Sequence, residues 1–188
     1  MLQKIQKPLE EEAQKYISAE KEVHTVEEAI AGAKDILAET VSDEADYRSF
    51  IRNLTVKEGK MISSAKDDSV QSVYEMYYSF EEPVSRLAGH RILALNRGEK
   101  EKILNVKIEA PEEKILRYLE KKIIVSENPY TSEYLKEVAE DSYKRLIAPA
   151  IEREIRSSLT EKAEDSAITV FGKNLEQLLM QPPIVGQV

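Results

Sequence analysis

The chain has no cysteine and no tryptophan, only two histidines, six scattered glycines and a low aromatic content. Each shortage removes a class of chemistry. Without cysteine there are no disulfides, thiolate nucleophiles or sulfur metal ligands. The histidines, His24 and His90, stand in no Glu-x-x-His or His-x-x-x-His spacing, so neither a metal centre nor a histidine-activated nucleophile is readable. The glycines never cluster into a phosphate-cradling loop. No apolar run approaches the roughly 20 residues of a membrane span, and Met1–Ile5 lacks the apolar core of a signal peptide.

Charge and periodic apolar residues fill the space these leave. Charged residues make up 33% and apolar residues 41% of 188, a mixture that fits a helical chain with long solvated faces, and the length allows one sizeable domain or two small ones with a real core. Lysine and arginine number 27 against 35 acids, a net charge of −8. A module that binds a duplex by itself is normally basic, so any phosphate contact here has to come from a local patch working against the overall field. The expected setting is the cytoplasm.

Helical signals dominate. Residues 9–19 follow Pro8 with a helix-compatible pattern. Thr25 and Glu28 form a Thr-x-x-Glu capping box ahead of Val26, Ala29, Ile30, Ala33, Ile36 and Leu37, which share a face. Ser42 or Asp43 is placed to cap a helix with Tyr47, Phe50, Ile51 and Leu54 inward, stopped by Gly59. Met61–Ala65 reads as a short extended piece. Val70, Val73, Tyr74 and Tyr77 have helical spacing up to Glu82-Pro83, and the tyrosines around Met76 are expected to pack rather than stack on bases.

Pro111 suits the first position of a helix with Ile115, Leu116, Leu119 and Ile123 buried. A loop at Ser126–Pro129 leads to Thr131 or Ser132, which opens a helix carrying Leu135, Val138, Ala139, Ser142 and Leu146. Pro149 marks a boundary or kink. A long pattern from about Ile151 to Met180 predicts a spine helix, ended by Gln181-Pro182-Pro183.

One segment reads differently. His90–Glu109 has apolar runs at Ile92–Leu95 and Ile103–Ile108 around a polar connection containing Gly98, which predicts an antiparallel β-hairpin. The expected fold is therefore mainly α: a multi-helix domain with one small antiparallel β-hairpin and a long C-terminal helix. The segments are 1–83 (helical), 84–110 (hairpin insertion) and 111–188 (helical with the spine), all within one continuous structural unit.

Two basic clusters remain as contact candidates. Arg91, Arg97, Lys100, Lys102 and Lys107 lie on or near the predicted hairpin, where an exposed basic loop suits phosphate, although Glu99 and Glu101 dilute it. Lys144, Arg145, Arg153 and Arg156 surround Pro149. Glu152 and Arg156 have the spacing of an intrahelical pair, and bracing of helices is the main alternative for this second group. The acidic runs Glu10-Glu11-Glu12, Asp67-Asp68 and Glu161…Glu164-Asp165 read as solvated faces. The nucleic-acid candidates are Arg91, Arg97, Lys100, Lys102, Arg145 and Arg153. No catalytic, metal or cofactor residue is expected.

Several segments in order carry a resemblance. They are Ala33–Glu39, Val73–Tyr78, His90–Glu99, Asp141–Pro149, Ile151–Arg156 and Leu178–Pro183. Together they resemble the bacterial transcription accessory protein Tex family across essentially the whole chain. Ala88-Gly89, in place of a proline-containing turn, and Thr40, in place of an aromatic residue, depart from it. The resemblance implies a non-catalytic helical scaffold region associated with RNA or DNA. It also implies that the chain is cut from the N-terminal half of a longer protein, with Pro182-Pro183-Ile184-Val185-Gly186 leading into a ribonuclease-H-like domain. Helix-hairpin-helix elements and an oligonucleotide-binding barrel would follow and supply the strongest binding. Implied partners are nucleic acid through the full-length protein, the transcription machinery and other domains of the same chain, with no membrane. A protein-docking module without nucleic-acid contact is the alternative.

Overall fold

The computed structural model describes residues 6–181. It is mainly helical, with one small antiparallel sheet and a long C-terminal helix. Two compact units form, each assembled from two separate stretches of chain. The first comprises residues up to Val56 together with Ala110–Arg153. The second comprises Lys57–Glu109 and the chain from Glu154 onward.

The first unit is built from α1 (Leu9–Ala13), α2 (Val26–Asp43), most of α3 (Ala45–Glu58), α5 (Glu112–Ile123), α6 (Ser132–Asp141) and the start of α7 (Ala148–Leu179). The capping box forms as the sequence predicts. Thr25 Oγ1 accepts from the Glu28 N–H at 3.1 Å, and the Glu28 carboxylate accepts from the Thr25 and His24 N–H groups. These bonds hold the Glu28 carboxyl below its usual range, the His24 N–H being the largest cause.

The core contains Ala38, Val41, Ile51, Ile115, Leu119, Leu135, Val138, Ala139, Tyr143 and Ile147. The stripe on α2 differs from the expected one. Ile36 is 66% exposed, and burial shifts to Ala38, Val41 and Ser42 at the end that meets Ser142, whose Oγ donates to the Ala38 carbonyl at 2.8 Å.

Pro149 does not end its helix. The six residues before α7, Ser142–Ile147, wind as a π-helix, and the helical path continues from α6 through this segment into α7. Proline lacks an N–H and clashes with the carbonyl four residues back in α-helical register. The wider π turn relieves both demands, so the expected boundary becomes a change of helix type.

In the second unit, β1 (Lys60–Ala65) lies between β2 (Ser79–Pro83) and β3 (Leu104–Glu109), both antiparallel to it. Ile62 faces Glu81 on one side and Lys107 on the other. β3 alternates cleanly, with Leu104, Val106 and Ile108 buried and Asn105, Lys107 and Glu109 exposed. The expected extended piece at Met61–Ala65 is this central strand.

The hairpin expected at His90–Glu109 does not form. Ile92–Leu95 belongs to α4 (Gly89–Lys100), and β3 pairs with β1 instead. Ile92, Leu95 and Gly98 recur every third residue and are buried, so the run is a helix face; leucine and alanine also favour helix. Gly98 is not a turn residue. A Cβ there would lie 2.6 Å from Leu104 Cδ1, so the glycine admits the first residue of β3 against the helix.

The reversal comes at Lys102, which adopts left-handed φ of 62°. The Ile103 N–H donates to the Gly98 carbonyl and the Lys102 N–H to the Glu99 carbonyl, each at 2.9 Å. This is a Schellman C-cap with lysine where glycine is usual.

The helix expected through Val70–Tyr77 is also absent. Asp67 Oδ1 accepts from the Ser69 N–H and Ser72 Oγ from the Tyr74 N–H, local bonds that compete with helix. Only Glu75–Tyr77 makes a single 3-10 turn. Tyr74 and Tyr77 are buried, while Val73 is 85% exposed. The lead-in expected at Pro182–Gly186 lies outside the described residues.

Candidate nucleic-acid interface

The six candidate cations fall into two kinds. Arg91, in the first turn of α4, donates to Glu82 Oε2 at 2.6 Å and lies 5.8 Å from the Phe80 ring. Arg145, in the π segment, donates to both Asp141 oxygens and to Asp35 Oδ1 at 2.9 Å. Those carboxylates, Asp141 first, hold its guanidinium further toward the charged state. Arg153 Nε donates to the Pro149 carbonyl at 3.1 Å. All three are engaged within their own units.

Lys144 and Arg156 follow the same pattern. Lys144 bridges Glu140 at 2.7 Å and Glu112 at 3.3 Å. Arg156 clamps both oxygens of Glu99 and donates to the Val106 carbonyl at 3.3 Å, fastening α4 and β3 to α7. The Asn96 amide adds a 2.8 Å bond to Thr160 Oγ1, and Gly89 lets the start of α4 approach Ala163 closely. The bracing alternative for the second basic cluster is thus visible in its contacts.

Arg97, Lys100 and Lys102 differ. All three are exposed, and none makes an ion pair or side-chain hydrogen bond with another described residue. They gather at the C-terminal end of α4, where the macrodipole stabilises positive charge. The site's edge is fixed by Tyr74, whose ring packs toward Gly98 and whose hydroxyl donates to Glu101 Oε1 at 2.9 Å. Burial, then this bond, pushes the Tyr74 phenol up, while the charge of Arg97 pulls it down. A cluster of uncommitted cations on a rigid helix end can hold phosphate oxygens without first breaking internal pairs.

Sequence reasoning missed a second feature. On the first unit, Phe50 of α3 stacks on Tyr118 of α5, with centroids 3.7 Å apart and planes at 14°. Tyr47 meets Tyr118 edge-on at 6.1 Å. The readable signal lies on α5, where Lys114, Lys121 and Lys122 flank Tyr118 at i−4, i+3 and i+4.

No group of three or more acidic, histidine or cysteine side chains is placed to hold a metal among the described residues. No described helix is long and apolar enough to cross a membrane.

A two-unit helical scaffold with a small antiparallel sheet and a long terminal helix is the class these features define. The family model for the Tex central region-like domain matches residues 4–171, and the chain belongs to this family. It is 54% identical to Uncharacterized protein YdcI of Bacillus subtilis, over 93% of this chain and 25% of that protein. It is 30% identical to the human S1 RNA-binding domain-containing protein 1, over 97% of this chain and 20% of that protein. It is 27% identical to Transcriptional accessory protein Tex of Neisseria gonorrhoeae, over 82% and 21% respectively. The chain spans about a fifth to a quarter of the length of these relatives.

Proposed function

We propose that this chain is a non-catalytic helical scaffold region of a cytoplasmic, Tex-like transcription accessory protein that associates with nucleic acid. The observation that carries the reading is the trio Arg97, Lys100 and Lys102, exposed and free of internal partners among the described residues on the end of α4. The name of the human relative, which contains an S1 RNA-binding domain, supports the same class of partner. In this reading the scaffold adds a modest electrostatic contact, and further domains of the full-length protein bind RNA or DNA most strongly.

The test is the salt dependence of binding to a single-stranded RNA and a DNA oligonucleotide. Each phosphate contact contributes about 0.7 to the slope of log Kobs against log salt on a single strand, so Arg97→Glu/Lys100→Glu/Lys102→Glu should make the slope shallower by about 2. Binding that is undetectable at low salt, or a slope the variant leaves unchanged, would contradict the proposal.

One observation favours docking without nucleic-acid contact as a second reading. Ile168, Phe171, Leu175 and Leu178 of α7 repeat at three- and four-residue steps, the seam of a coiled coil, and all are exposed. Partners would be the transcription machinery or other domains of the same protein. Phe171→Asp/Leu175→Asp should then abolish capture of those domains while leaving oligonucleotide binding intact. Capture unaffected by the pair would remove this reading.

A further inference from the structure

We infer that the Phe50–Tyr118 stack and the lysines around it form a second contact site, specific for the unpaired bases of single-stranded nucleic acid. The inference rests on the reading that the protein associates with nucleic acid, but uses residues of the other unit.

The rings are not simply core. Tyr118 stacks on one face of Phe50, yet Phe50 is 38% exposed, so part of its surface stays open to solvent. Tyr118 is itself locked by the edge of Tyr47 and by Lys122, whose ammonium lies 5.8 Å from the ring centroid. A base laid on the exposed part of Phe50 would extend a stack already built by Phe50 and Tyr118. The platform loses little entropy on binding, since packing has already fixed both rings.

Charge supplies the other half of the recognition. Lys114, Arg117, Lys121 and Lys122 are exposed on α5 around Tyr118. The Arg117–Glu113 pair is solvent-exposed on both sides and yields readily to a phosphate. Glu44 and Asp46 lie on the Tyr47 side, where burial and then these carboxylates push its phenol up, and they bias a polyanion toward the lysine side. A duplex hides its base faces and needs only cations; a single strand offers phosphates and bare faces together. Cations beside a partly exposed aromatic ring match the second.

The experiment is fluorescence anisotropy of the 188-residue chain with fluorescein-labelled (rU)12 and with a 12-base-pair RNA duplex. The strand should bind about tenfold more tightly than the duplex. Phe50→Leu keeps bulk and removes the π face; it should weaken (rU)12 by about fivefold or more, leaving the duplex unchanged. Lys121→Gln/Lys122→Gln should weaken both ligands and make the strand's salt slope shallower by about 1.4. Melting curves check each fold, and photocrosslinking of (rU)12 to the unmodified chain should map to Phe50 or Tyr118 without any substitution.

If Phe50→Leu leaves (rU)12 affinity unchanged, or the crosslink maps elsewhere, the site is refuted. The α4 reading survives that result when Arg97→Glu/Lys100→Glu still weakens binding, and falls separately when it does not. A Glu-rich peptide that binds with the same Phe50 dependence while (rU)12 does not would overturn the site in favour of protein docking.

Discussion

Replacing Gly98 with alanine should destabilise the protein, although alanine is the better helix former. In an open helix interior the exchange gains about 1 kcal/mol. At Gly98 the new Cβ would sit 2.6 Å from Leu104 Cδ1, 2.9 Å from Leu104 Cγ and 3.3 Å from Tyr74 Cδ1. Leu104 is fully buried and anchors the first residue of β3, so it has nowhere to swing. Overpacking of this kind costs about 1–3 kcal/mol. With the propensity gain subtracted, the net loss comes to about 0–2 kcal/mol, toward the upper end because two of the contacts fall below 3.0 Å, and up to several degrees in Tm for a chain of this size.

Gly32, within α2, is the internal control. Among the described residues, nothing beyond its own helix backbone lies within 4 Å of where an alanine methyl would sit, so Gly32→Ala should stabilise by about 1 kcal/mol. Paired thermal and urea melts read both signs. Equal stabilisation by the two substitutions would refute the packing of β3 on α4.

Further outcomes follow from the same geometry. Thr25→Ala should cost about 1 kcal/mol in urea melts by opening the capping box of α2. Arg156→Ala should cost about 1–2 kcal/mol, since it strips the Val106 carbonyl and half-buried Glu99 of their donor; a cost near zero would show the clamp to be incidental. Burial, aided by the charge of Glu112, pushes the Tyr143 phenol up to about 12. The folded state thus keeps a proton that the unfolded chain releases near pH 10, so this contribution is intact below about pH 10 and is lost as pH rises to about 12. Tyr143→Phe should flatten the fall in Tm over that window, and absorbance at about 295 nm should lose its latest-titrating tyrosine; with no tryptophan in the chain the signal belongs to tyrosine alone.

The helical parts are legible in the sequence where one face alternates with solvent over several turns. Ile115 and Leu119 on α5, and Leu135, Val138 and Ala139 on α6, are buried as their spacing demands. The capping box is legible because two side chains at fixed spacing satisfy backbone donors locally. The helix at Ile92–Leu95 is not, because a four-residue apolar run has no period of its own. Gly98 adds to the ambiguity: it has the composition of a turn, while its role is to let Leu104 approach.

The true turn, at Lys102, carries no compositional signal: lysine adopts a left-handed conformation there under constraint from the C-cap bonds. Composition cannot separate Arg97, Lys100 and Lys102 from Arg91, Arg145 and Arg153 among the candidate cations. The difference lies in carboxylates and carbonyls distant or local in sequence, such as Asp35 for Arg145 and Glu82 for Arg91. The aromatic stack is hidden because Phe50 and Tyr118 are far apart in the chain and meet only through packing of α3 on α5.

The most direct test of a contact at the end of α4 compares two triple variants in one salt titration on single-stranded RNA. Arg97→Gln/Lys100→Gln/Lys102→Gln removes the cations without partners among the described residues; Arg91→Gln/Arg145→Gln/Arg153→Gln removes the same charge from those already engaged. The first variant should lose about 2 from the salt slope while the second keeps nearly the wild-type slope. Equal losses, or a larger loss in the second variant, would contradict the assignment of the contact to the end of α4.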